Sequence, residues 1–206
     1  MALVTELIPV GKGKSEVWLD GNFAFVLYKA EIRRMDIKDG RELNAEDLEC
    51  IFKQILCPRA VNRLLYLLGG RDMTRRELYD KLKNGKYPQA VCEYALDKME
   101  EYGYVNDASY ARRYVECYMN KKSMGRIRTE LSRKGIDREL AEAAIAECEN
   151  TDERRERERQ LIRQLLIKRN YDPAGKDDKE KQKQYAYLFR RGFKSEDITA
   201  VMFDLT

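Results

Sequence analysis

Leu131-Ser132-Arg133-Lys134-Gly135-Ile136 is matched without a gap by Leu188-Phe189-Arg190-Arg191-Gly192-Phe193, and by Leu82-Lys83-Asn84-Gly85-Lys86-Tyr87 with its glycine one place early. The leucines stand 49 and 57 residues apart. Each copy is followed by apolar residues at helical spacing: Val91, Ala95, Leu96 and Met99, then Leu140, Ala144 and Ile145, then Ile198, Val201 and Met202. The glycine therefore stops one helix before another begins, taking the left-handed backbone without a Cβ penalty while the next apolar residue folds back onto the finished helix. The pattern predicts a mainly α protein of tandem three-helix repeats. Repeats of this size bury their apolar faces mostly against neighbours, so the expected shape is an elongated array.

The N-terminus reads differently. Val17, Leu19, Phe23, Phe25 and Leu27 alternate with Glu16, Trp18, Asp20, Ala24 and Val26, and Asp20-Gly21-Asn22 is a hairpin signal between them. Gly11-Lys12-Gly13-Lys14 supplies an earlier turn after the apolar run Leu7 to Val10. A small antiparallel β-hairpin or meander follows, which must pack on the first helices or on a partner because three short strands bury little. Leu43-Asn44-Ala45-Glu46-Asp47 reads as a staple and N-cap opening a helix with Leu48, Ile51, Phe52 and Ile55 on one face, stopped by Pro58. Thr74-Arg75-Arg76-Glu77 is a capping box. The chain accordingly divides into a β-meander and linker (1–42), a connecting helix (43–57) and repeats at 58–105, 106–150 and 151–206. Within the last repeat, Asn170 to Lys183 reads as a loop.

Hydrophobic residues at 43% and charged residues at 37% of 206 describe helix-rich, surface-heavy material. No apolar run nears the roughly 18 residues of a membrane span, and the first residues lack a basic segment followed by an apolar core. A cytoplasmic protein with no membrane partner is expected. The five cysteines are scattered, without a Cys-x-x-Cys pair or any histidine to complete a zinc site. They read as reduced helix residues, mostly buried. No metal or other cofactor is implied.

Charge alternates along the chain. Residues 112–134 carry eight basic and two acidic side chains, 137–153 one and seven, and 154–191 thirteen and six. Basic first and second helices thus alternate with acidic third helices, which suits a partner bearing both signs better than a plain polyanion. The basic residues Arg112, Arg113, Lys121, Lys122, Arg126, Arg128 and Lys134 are the candidates for partner or DNA contact. Arg126 and Arg128, two apart, cannot share a helical face.

Arg71-Asp72-Met73-Thr74-x-x-Glu77-Leu78-x-x-Lys81-Leu82, Gly103-Tyr104-Val105-Asn106-Asp107-x-x-Tyr110-Ala111 and Leu131-x-x-Lys134-Gly135-Ile136 together resemble the RecX family of recombinase regulators. The likeness is good over residues 58 to about 150 and looser in the third repeat. It implies a non-enzymatic, monomeric inhibitor that binds the RecA–DNA filament, suppresses ATP hydrolysis and strand exchange, and works in recombination, DNA repair and the SOS response. Thr74, Glu77, Gly103, Gly135, Tyr110 and Ala111 carry the likeness, and on physical grounds they are structural.

Rival readings follow from the same residues. Basic stretches interleaved with Tyr110, Tyr114 and Tyr118 also suit a stand-alone helical module binding single- or double-stranded DNA. Their i,i+4 spacing, however, is that of a packed stripe. An enzyme is disfavoured, since histidine, the commonest general base, is absent and there is no phosphate-binding Gly-x-x-x-x-Gly-Lys loop. A scaffold for some other helical partner is the third reading.

Overall fold

Asp20 and Gly21 both take left-handed backbone, with φ of 49° and 78°. Such a two-residue turn matches the twist of the strands it joins. In the computed structural model, which describes residues 1–11, 13–148, 150–172 and 178–204, it connects β2 (Lys14–Leu19) to β3 (Asn22–Tyr28). Ahead of them β1 (Ala2–Pro9) pairs antiparallel with β2, its Leu7 opposite Val17. The expected first strand is thus longer than the Leu7–Val10 run. A fourth, two-residue strand, β4 (Glu42–Leu43), pairs with the start of β1 and completes the order β3-β2-β1-β4. Helix α1 (Lys29–Arg34) follows β3 directly. Part of the expected turn at Gly11–Lys14, Lys12, lies outside the described residues.

The chain forms two units, Met1–Asn106 and Asp107–Thr206. In the first, Asn44 caps α2 (Ala45–Cys50) by accepting the Asp47 N–H, and the Asp47 carboxylate accepts the Asn44 N–H in return. The helix does not stop at Pro58. It widens into a π-helical stretch, Ile51–Leu56, and runs on as α3 (Cys57–Leu68). A proline inside an α-helix removes one hydrogen bond and clashes with the carbonyl four residues back. Here the Cys57 N–H reaches back five residues to the Phe52 carbonyl, and Pro58 falls in the first turn of α3, where its missing donor costs nothing. After α3 come α4 (Arg75–Asn84), opened by the Thr74–Glu77 capping box, and α5 (Gln89–Glu101). Val4, Val17, Phe25 and Leu27 of the sheet share one core with Ile51, Leu56, Leu64, Leu82 and Leu96, so the sheet packs on the first repeat.

The second unit holds α6 (Asp107–Tyr118), α7 (Met124–Arg133), α8 (Arg138–Cys148), α9 (Thr151–Lys168), α10 (Asp178–Arg190) and α11 (Ser195–Asp204). Helix α10 therefore takes up residues 178–183 of the expected loop, and residues 173–177 of that loop lie outside the described ones. Two cores form, one from Ala111, Val115, Ile127, Leu131, Ile136 and Ile145, the other from Ile162, Leu166, Leu188, Phe193, Ile198 and Val201. Leu140, expected inside, is 37% exposed, and Ala141 takes the inward position. The cysteines all lie in helices, but only Cys57 and Cys92 are buried, and Cys117 is exposed.

The repeated signature, from leucine to the apolar residue beyond the glycine, is one structural device used three times. The N–H groups of Tyr87, Ile136 and Phe193 donate to the carbonyls of Leu82, Leu131 and Leu188 at 3.2, 3.0 and 3.4 Å, the wide bond that closes a helix C-terminus. Each of these leucines is fully buried. Gly135 and Gly192 take the left-handed position at φ 80° and 85°. In the first repeat the early glycine, Gly85, caps with φ −79°, and the left-handed place falls on Lys86 at φ 61°.

Candidate functional site

In the second unit, the turn after α6 meets the ends of α9 and α10. Lys121, Lys122 and Arg126 from the second repeat and Lys168 and Arg191 from the third line a cleft of about 210 Å3 over a floor that includes Leu161 and Phe193. No acidic side chain is among the described lining residues. Ser123 builds the joint: its Oγ accepts the Arg126 N–H at 3.2 Å, capping α7, and donates to the Arg191 carbonyl at 2.5 Å. The backbones then approach as closely as two glycines allow. A Cβ built on Gly125 would lie 2.3 Å from the Gly192 carbonyl oxygen. Below the joint, Glu158, 4% exposed, accepts the Met124 N–H at 2.7 Å. Burial raises the Glu158 carboxyl above its ordinary value, opposed by that backbone bond and the Arg157 charge.

Glu130 anchors two of the cations. It accepts from Lys122 at 2.5 Å, from Arg126 at 3.0 Å and from the Tyr114 hydroxyl. Burial alone would raise this carboxyl, but those hydrogen bonds and the Lys122 charge outweigh it and hold the group down at about 2. The Tyr114 phenol is pushed above its ordinary value, by burial first and then by Glu130. Lys122 also sits 3.7 Å over the Tyr118 ring. By contrast Lys121 and Lys168 make no ion pair among the described residues, which leaves their charge available at the mouth of the cleft. Arg191 lies 5.0 Å over the Tyr187 ring.

The other candidates lie elsewhere. Arg128, on the opposite side of α7 from Arg126, donates to both oxygens of Glu142 on α8 at 2.6 and 2.9 Å. Arg112 on α6 pairs with Glu147 on α8 at 3.7 Å. The acidic third helix of the repeat thus neutralises part of the first two, so the alternating charge blocks are spent partly inside the repeat. Lys134, at the end of α7, lies 5.5 Å over the Tyr110 ring, and Arg113 is exposed on α6. Tyr110, Tyr114 and Tyr118 stack along α6, half-buried against the core of the repeat. Lys168 and Arg191 were not among the sequence candidates. Arg191 stands in the same repeat signature as Lys134, and its place beside Lys121 comes from the fold joining two repeats.

No helix of the described residues is long and apolar enough to cross a membrane.

Comparison with known proteins gives one family along the chain. Residues 60–99, 106–145 and 156–202 match the RecX first, second and third three-helix domains. The regulatory protein RecX of Caldanaerobacter subterraneus subsp. tengcongensis is 31% identical over 95% of this chain and 96% of its own. A crystal structure of a regulatory protein RecX superposes with a TM-score of 0.63 at 24% identity over 98% of both chains, a likeness of fold. RecX from Lactobacillus salivarius gives a TM-score of 0.61 at 26% identity, covering 73% of this chain and 96% of that one.

Proposed function

Because the chain belongs to the RecX family of regulatory proteins, we propose that it acts on the RecA recombinase, binding the RecA–DNA filament and suppressing its ATP hydrolysis and strand exchange. On this reading it is a monomeric, non-enzymatic regulator in the cytoplasm, serving recombination, DNA repair and the SOS response. The observation that carries the reading is the cleft between the second and third repeats, where cations from two consecutive repeats converge with no acid among the described lining residues. Lys121 and Lys168 offer charge at its mouth, while Glu130 fixes Lys122 and Arg126 behind them. A carboxylate or phosphate of the filament would meet converging positive charge there and form charge-assisted hydrogen bonds with the lysine ammonium groups. Repeats that engage successive subunits of a helical polymer add weak contacts as avidity.

The test is ATP hydrolysis by a preformed RecA filament on single-stranded DNA, with this protein added well below the number of DNA sites. Hydrolysis should fall, and Lys121→Glu with Lys168→Glu should relieve the inhibition at least tenfold in concentration. No inhibition, with salt-sensitive binding to naked DNA, would instead favour the stand-alone DNA-binding module. Filament binding that persists at salt sufficient to release naked DNA separates the two.

A further inference from the structure

In the first unit the sheet and the first repeat enclose another cleft, of about 720 Å3. Lys14 from β2, Arg59 and Arg63 from α3, Lys81 from α4 and Lys86 from the turn after it line its walls, and no acidic side chain is among the described lining residues. Two of these cations are fixed in place. Arg59 donates to both carboxylate oxygens of Glu31 at 2.6 and 2.5 Å and to the Val26 carbonyl at 3.1 Å, with its guanidinium 4.8 Å over the Tyr28 ring. Lys86 is bonded to the buried carboxylate of Glu16 and holds the left-handed backbone at φ 61°.

The other three, Lys14, Arg63 and Lys81, are exposed and make no ion pair among the described residues. Their charges share one concavity, where like charges raise one another's energy until an anion enters. Lysine ammonium groups suit phosphate oxygens as point charges, and the Arg63 fork can take two oxygens at once. Beside the cations stand the amides of Asn62 and Asn84 and the half-buried ring of Tyr87. Positive charge along a groove with amide and aromatic groups at its wall is the combination that tracks a single nucleic-acid strand. An acidic peptide would use the charge and leave the aromatic wall idle.

We infer that this cleft binds the sugar–phosphate backbone of single-stranded nucleic acid, as a site separate from the Lys121 cleft of the second unit. The inference stands apart from the RecA reading, because it concerns naked nucleic acid and other residues.

The full chain supplies an internal reporter. Trp18, its single tryptophan, donates its indole N–H to Glu16 at 3.3 Å, and Glu16 in turn holds Lys86 at the cleft wall. Binding of a labelled oligothymidylate is measured by anisotropy over a salt series, together with Trp18 emission. The double variant Arg63→Glu and Lys81→Glu changes two exposed side chains, and unchanged circular dichroism verifies its fold. It should bind at least tenfold more weakly, with the log–log salt slope shallower by about 1.4 for two lost phosphate contacts on a single strand. Lys14→Glu should move affinity the same way, whereas Lys121→Glu with Lys168→Glu should leave the Trp18 response intact. Wild-type binding that is absent, or unaltered in the Arg63/Lys81 variant, overturns the inference. So does displacement of the oligonucleotide by polyglutamate at equal charge, which would assign the cleft to an acidic protein segment.

Discussion

Gly125→Ala tests whether the second and third repeats are joined backbone to backbone. The added Cβ would stand 2.3 Å from the Gly192 carbonyl oxygen, against 3.4 Å for an ordinary contact, so the two segments must separate by about 1 Å. The obstacle is main chain, which cannot rotate aside as a side chain can. Overpacking of this kind costs about 1–3 kcal/mol, and the displacement also breaks the 2.5 Å bond from Ser123 Oγ to the Arg191 carbonyl, adding ~1 kcal/mol. A total of ~3 kcal/mol lowers the melting temperature by roughly 6–12 °C in a chain of this size. Two other glycines serve as controls in the same thermal scan. Gly69→Ala meets only ordinary contacts at 3.6 Å, and should change stability by less than ~0.5 kcal/mol. Gly103→Ala has open space but φ of +73°, and should cost ~1–2 kcal/mol from the left-handed backbone alone. If Gly125→Ala melts within 2 °C of the parent, by the same ~2–4 °C per kcal/mol, the close approach of Gly125 and Gly192 is wrong.

Glu130→Gln should remove a pH-dependent stabilisation. Since the folded carboxyl sits at about 2 against an ordinary 4.5, its contribution is complete above 4.5 and is lost as pH falls toward 2. The full difference corresponds to about 3 kcal/mol; solvent reaching this partly exposed group reduces the expected loss to ~1–2 kcal/mol at pH 7, read from urea midpoints at pH 7 and pH 3, with the gap between variant and parent narrowing by roughly half at pH 3 and closing only toward pH 2. Glu158→Gln should show the opposite trend. The raised Glu158 carboxyl keeps its proton in the folded state after the unfolded chain has released it, so its effect on stability worsens as pH rises from 4.5 through the folded value. The glutamine can still accept the Met124 N–H, and the variant should match or exceed the parent at pH 8 while losing that advantage at pH 4. Arg128→Lys should cost ~1 kcal/mol in a chemical melt, because a single ammonium cannot reproduce the two bonds to Glu142.

The repeat signature was legible because it is a closure device with a geometric demand. Leucine, glycine and the following apolar residue are spaced for a helix end, and the fold uses them so. The first copy shows how far the reading reaches: its early glycine signalled an irregular cap, yet nothing in the letters moves the left-handed place to Lys86. Pro58 misled for a related reason. The rule that proline ends a helix assumes α-type bonding, and the π-helical turn before it changes which carbonyl the chain must reach. The basic residues were visible as a list but not as a site. Lys121, Lys122 and Arg126 come together with Lys168 and Arg191 through a contact between repeats more than forty residues apart, while Arg128 and Arg112 are drawn off by carboxylates on α8 that sequence spacing does not pair with them. Leu140 and Ala141 exchange roles because one helical step of rotation separates them, finer than hydrophobic periodicity resolves.

The uninterrupted run from α2 through the π-helical turn into α3 also bears on how such a chain can be altered by recombination, truncation or grafting. Its N-terminal half packs under the sheet and its C-terminal half belongs to the first repeat, within one core that reaches Val105. A cut at Pro58, where the repeat begins by its letters, would sever a helix and uncover Ile51, Ile55 and Leu56. An N-terminal piece exchanged between relatives should therefore run through the whole first unit, Met1–Asn106, and a lineage that discards the sheet must also rebuild the face of the first repeat that the sheet had covered.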